Sequence, residues 1–224
     1  MVAFAKQRPV DLLNTKEAIA LKRALMSHID VTAPLGLEKV IPKIAKRLEL
    51  LPSRVLAEMA DRRLWINWDQ KIRVGGEMVK GVYYSVGPIG GRPMIQLATD
   101  EVSTLIHEIT HFLTDPKMSL EAGKREKVFL ALYDRGGPKI RELHQGLVIE
   151  KDGLINLYSG RTYEREGKII RGREYSTVAS EGLYAAPLAG RFDEWKAGYE
   201  LWQLGDLYAT DRKLLKAIAE MWAE

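Results

Sequence analysis

Apolar residues recur at helical spacing in several stretches of this chain and at strand-like spacing in others, and their order sets the expected architecture. Over residues 15–29, Ala18, Leu21, Leu25 and His28 share one face of an amphipathic helix. Over 36–49, Leu37, Val40, Ile41, Ile44 and Leu48 share another, with Pro34 between the two. A short helix follows Pro52, with Val55, Leu56 and Met59 turned inward. From Arg63 the pattern changes. Residues 64–68 predict a strand, 78–86 a second after a Gly75-Gly76 turn, and 93–98 a third after a turn at 87–91. Val102, Leu105, Ile106, Ile109 and Phe112 then return to helical spacing, with Thr99 or Asp100 as cap and Asp115-Pro116 as the stop.

Residues 119–134 continue as helix until Gly136-Gly137-Pro138 breaks the chain. A hairpin is expected over 146–157 around Asp152-Gly153, and a second extended pair, 161–164 and 168–173, flanks Glu166-Gly167. Helix resumes at Tyr175 and runs to a break at Pro187; helices at 191–204 and 210–222 follow, with Trp195, Trp202 and Trp222 as core residues. There is no internal repeat. The fold class expected is α+β: mainly helical, with a small mixed sheet just ahead of the 102–113 helix. Residues 1–62 form an N-terminal helical segment, either a unit of its own or part of the same domain, and 63–224 form the main domain.

Composition narrows the function classes. With 46% hydrophobic and 29% charged residues in 224, the chain has the make-up of a soluble globular protein with a sizeable core. No apolar run approaches the roughly 20 residues of a membrane span, and the first residues lack a secretory signal's apolar block, so the expected site of action is the cytoplasm or a particle assembled there. The absence of cysteine excludes disulfides and thiolate ligands, leaving histidine and carboxylate to hold any metal. The net charge of +4 is scattered, from Lys43, Lys46 and Arg47 to Lys168, Arg171 and Arg173. Solvated faces account for these charges, and neither a nucleic acid nor a membrane is an expected partner.

The candidate chemistry lies on the 102–113 helix. His107-Glu108-Ile109-Thr110-His111 reads H-E-x-x-H, in a chain with only four histidines. Spaced by four, the two imidazoles stand one turn apart on one helix face and can grip one metal ion. Glu108, about 100° round the helix, can reach a water on that metal. This is the core of a zinc hydrolase site. A third protein ligand is needed, and Glu, Asp and His144 are candidates. The segment from Glu174 to Glu181 stands out, because its two carboxylates share one helix face two turns apart and enough chain separates them from His111 to fold back.

An HExxH helix followed by a glutamate on a second helix resembles the zincin metallopeptidases with a His-His-Glu site. More narrowly, the chain is similar to HExxH proteins encoded among phage and prophage head and structural genes. The residues that carry this likeness are Tyr158-Ser159-Gly160-Arg161-Thr162-Tyr163, then Glu174 and Glu181, then Ala186-Pro187 and Phe192-Asp193, and it spans roughly residues 93–205. Thr177-Val178-Ala179 stands where that group tends to have Ser-Met-Gly, and Thr110 where many have Gly.

The resemblance implies Zn²⁺ held by His107, His111 and Glu174, with Glu181 as the alternative ligand or as a brace for a histidine from outside. It implies Glu108 as general base and a further group on the oxyanion, for which Tyr163 is favoured over Tyr158 and His144. The function implied is a zinc-dependent peptidase acting on a peptide or protein, in a phage setting, with a virion or phage protein as partner. The competing expectation is a virion structural or interaction protein without turnover, whose zinc steadies the fold.

Overall fold

The structure is a computed structural model that describes residues 16–88, 90–134, 141–144, 147–150, 158–165, 167–181 and 212–222. It begins with helix α1 (Lys16–Met26), strand β1 (Asp30–Thr32), a 3₁₀ turn (Glu38–Val40), α2 (Ile41–Leu48) and α3 (Ser53–Asp61). Strands β2 (Trp65–Trp68), β3 (Ile72–Val74), β4 (Glu77–Val79), β5 (Gly81–Tyr84) and β6 (Met94–Leu97) lead into α4 (Val102–Leu113) and α5 (Leu120–Asp134). Then come β7 (Arg141–His144), β8 (Leu147–Glu150), a 3₁₀ turn (Tyr158–Gly160), β9 (Arg161–Arg165), β10 (Lys168–Ile170), α6 (Arg173–Ser180) and α7 (Arg212–Trp222).

The class is α+β, with a small mixed sheet ordered β1-β2-β6-β5. β1, β2 and β6 run parallel, whereas β5 runs antiparallel to β6 and forms the edge beside α4. A second, antiparallel sheet is ordered β10-β9-β8-β7, and β3 and β4 make a separate hairpin. One continuous apolar core takes in Ile44 and Leu48 of α2, Val55, Leu56 and Met59 of α3, Ile66 and Ile95 of the sheet, Ile106 and Ile109 of α4, Val178 of α6 and Trp222 of α7. Burying each large aliphatic side chain contributes about 1.5–3 kcal/mol. Helix α4 is therefore wrapped: its aliphatic stripe meets the core, and its opposite face is covered by α6 and β5.

Several sequence expectations need adjustment. Leu21, expected inward, is exposed, and Lys22 is buried beside it. The packed face of α1 runs through Lys22, Leu25 and Met26, and the Lys22 ammonium reaches out to donate to the Glu49 carbonyl while its stem covers apolar surface. The strand expected over 78–86 is two pieces, β4 and β5, belonging to different sheets. Helix α4 has Glu101 rather than Thr99 or Asp100 at its N-cap, with no side-chain cap; the Thr99 hydroxyl instead accepts from the Glu101 amide, 3.2 Å away. β8 pairs with β7 and β9, so the strand at 147–150 belongs to a larger sheet than a lone hairpin; residues 151–157, its expected partner, lie outside the described residues. So do Pro187, the 191–204 helix, Trp195 and Trp202. The β9–β10 hairpin, α5 and the buried Trp222 are as expected.

Gly81 lets β5 and α4 meet. A methyl group there would stand 2.7 Å from Thr104 Cγ2 and 2.9 Å from Glu108 Oε1. Gly81→Ala is thus expected to push the strand off the helix and destabilise the protein by about 1–3 kcal/mol, the usual cost of overpacking. Urea unfolding of the variant, read by its midpoint, checks this.

Candidate metal centre

The two histidines of α4 converge as their spacing predicts. Their Nε2 atoms are 3.2 Å apart, and both face one oxygen of Glu174 in the first turn of α6. Glu174 Oε2 lies 3.2 Å from His107 Nε2 and 3.5 Å from His111 Nε2. These separations approximate the edges of a tetrahedron with arms of about 2 Å, since such arms give edges near ~3.3 Å. His107, His111 and Glu174 are all buried and could hold a metal ion between them.

The surrounding contacts fix each ligand. Glu181, two turns beyond Glu174, accepts from His107 Nδ1 at 2.5 Å, which orients the ring so that Nε2 faces Glu174. The other oxygen of Glu174, Oε1, accepts from the Tyr163 hydroxyl. Thr177, one turn along α6, places its hydroxyl 3.0 Å from Glu174 Oε2. Tyr158 packs edge-on against His107 with ring centroids 5.7 Å apart, and the Arg161 guanidinium lies 4.3 Å over the Tyr158 ring. The 158–163 segment thus brings both of its tyrosines to the site. Among the described residues, His111 Nδ1 has no hydrogen-bond partner.

Electrostatics follow from burial and proximity. Burial alone would lower the pKa of His107, but hydrogen bonds to Glu174 and Glu181 hold it well above its ordinary value. Burial lowers His111 to about 3, so its ring stays neutral with a lone pair to give. Glu174 would be raised by burial, yet electrostatic interaction with the two histidines and hydrogen bonds from His107 and Tyr163 pull it well below the usual carboxylate range. This direction favours a proton on His107, between the two carboxylates, when no metal is bound. Glu108 is different: buried against Gly81, it is raised to about 7, chiefly by desolvation. Burial and the charge of Glu174 also push the Tyr163 hydroxyl upward, so it remains a donor.

Of the residues singled out from sequence, His107, Glu108, His111, Glu174, Glu181, Tyr158 and Tyr163 come together. His144 lies in β7, its backbone paired with Leu147. Thr177, Gly81 and Arg173 were not foreseen. A hydroxyl three residues after a helical carboxylate is a readable signal for the first; the other two matter only through contacts between elements. Removing the brace tests its role: Glu181→Gln is expected to weaken metal binding 10–100-fold, the usual effect of losing a ligand's outer partner, measured by chelator competition.

Comparison of the chain with protein-family models, with curated proteins and with solved structures finds no match.

Proposed function

We propose that this protein is a zinc-dependent peptidase. The observation that supports it is the closure of two imidazoles from α4 and one carboxylate from α6 into a set of metal-sized edges, with a buried carboxyl of raised pKa next in sequence to one of them. An N₂O donor set without thiolate suits a catalytic zinc more than a structural one, since three protein ligands leave a position for water. Bound there, zinc supplies Lewis acidity and makes a coordinated water far easier to deprotonate.

The chain's own residues then have definite tasks. Glu108, as the carboxylate, takes the proton of the attacking water while a C–O bond forms at the peptide carbonyl. It delivers that proton to the departing amine nitrogen as the C–N bond breaks. A pKa near neutrality suits a group that must both accept and give a proton. Edge strand β5 offers main-chain groups to which an extended peptide can pair beside Glu108. Tyr163 is the proposed donor to the carbonyl oxygen, leaving its bond to Glu174 as substrate enters.

The test is hydrolysis of a peptide mixture by the zinc-loaded protein, abolished by chelator and restored by zinc. The competing reading, a zinc-steadied structural protein, predicts stoichiometric zinc and a chelator-sensitive melting temperature with no cleaved peptide.

A further inference from the structure

A cavity of about 180 Å³ opens beside His111, between the end of α4, α5 and the start of α6. For scale, a cavity of about 150 Å³ admits a benzene-sized group, so this one has room for a side chain. Its apolar wall includes Phe129 and Ile170; its charged groups are Arg173, Glu126, Asp115 and, at the rim, Lys117. Asp115 is already engaged, accepting from the Tyr83 hydroxyl at 3.0 Å and from the Lys117 amide at 2.9 Å. Arg173 is not. Its half-buried guanidinium has no carboxylate within salt-bridge distance among the described residues, although its charge is felt at His111, Glu108, Tyr83 and Glu126. A guanidinium is permanently charged and presents five donors in a fork that matches a carboxylate. Glu126 lines the same cavity, and burial, with the charge of Asp115, pushes its carboxyl toward the neutral form.

From this arrangement we infer that the cavity is a subsite for a carboxylate of the substrate, clamped by Arg173 on the His111 side of the candidate metal centre. The inference rests on the peptidase reading for its substrate class. The carboxylate has two sources, an acidic side chain or the free end of a peptide chain, and both present the same two oxygens to Arg173.

The experiment uses the zinc-loaded Glu108→Gln protein, so that binding is read without cleavage. Its probes are four fluorescein-labelled degenerate hexapeptides: one position fixed as Glu or as Gln, each with a free or an amidated C-terminus. Anisotropy is expected to show about tenfold or tighter binding for the carboxylate-bearing member of one pair, the scale of a charge-assisted hydrogen bond. A Glu-over-Gln preference assigns a side chain; a free-acid-over-amide preference assigns the chain end. Added to this background, Arg173→Gln should remove the preference, Arg173→Lys should keep part of it, and Glu126→Gln, which leaves a neutral side chain there, should keep or strengthen it. Equal or unmeasurable binding of all four peptides overturns the inference, as does a preference that survives Arg173→Gln. Should Arg173→Gln fail to hold zinc, Glu126→Gln decides, because weaker carboxylate binding in that variant also overturns it. If the wild-type protein cuts no peptide while the preference holds, the peptidase reading falls and the carboxylate site stands.

Discussion

Glu108→Gln is expected to bind zinc as tightly as the wild type and to lose peptide hydrolysis by about 10²–10⁴-fold, the contribution of a positioned general base. The two halves of this result come from different features of the site. The residues that could hold the metal are His107, His111 and Glu174, none of which the substitution touches. Glutamine keeps the shape that packs against Gly81, so α4 and β5 should stay in register. What disappears is the acceptor. An amide cannot take the water's proton, and nothing else in the described site combines a carboxyl near neutral pKa with freedom from the metal-facing triad. Zinc content by mass spectrometry and kcat/KM on a cleaved peptide check the prediction together. Wild-type kcat/KM in the variant would remove Glu108 from the reaction; loss of zinc would show that it helps hold the metal.

The parts of this site that were legible from sequence are those set by local geometry. His107 and His111 stand one helical turn apart whatever surrounds them, so the H-E-x-x-H spacing and the aliphatic stripe through Leu105, Ile106 and Ile109 were enough to place both imidazoles on one face. Glu174 and Glu181 were legible as a pair for the same reason, and in the structure Glu174 faces both histidines while Glu181 contacts His107 Nδ1. What escaped depends on contacts across the fold. β1 and β7, of three and four residues, have too little length to show a periodic pattern, and they are strands because neighbours pair with them. The burial of Lys22 in place of Leu21 reverses simple hydrophobicity, and it depends on contacts across the fold such as the Glu49 carbonyl that accepts from its ammonium. Arg173 reads as one of many scattered cations until the fold sets it in the cavity beside His111.

Zinc affinity should fall steeply in acid, about tenfold for each pH unit as long as the metal-free site carries a proton on His107, because one proton must leave for each ion that binds. The direction follows from the raised pKa of His107 in the folded protein. His111 adds little to this proton release, since burial already keeps it neutral down to about pH 3. The metal-free fold should respond in the opposite sense. A raised pKa contributes stability that is fully present below the ordinary value of 6.5 and is lost as pH climbs through the folded value. His111, held neutral down to about 3, makes stability rise with pH from there to 6.5, whereas Glu108, raised from 4.5 to about 7, makes it fall across that interval and so opposes His111 between 4.5 and 6.5. Those two contributions offset each other there and leave His107 to dominate above pH 6.5. Chelated protein should therefore melt at lower temperature as pH rises from 6.5, while zinc-loaded protein gains on it through tighter binding. His107→Ala should abolish both trends, leaving zinc affinity lower than in Glu181→Gln and a metal-free melting temperature nearly flat in pH across that range. Calorimetric zinc titrations and melting curves from pH 6 to 9 measure the pair. A zinc affinity independent of pH in the wild-type protein would mean that His107 holds no proton when the metal is absent, and the charge balance drawn around Glu174 and Glu181 would then be wrong.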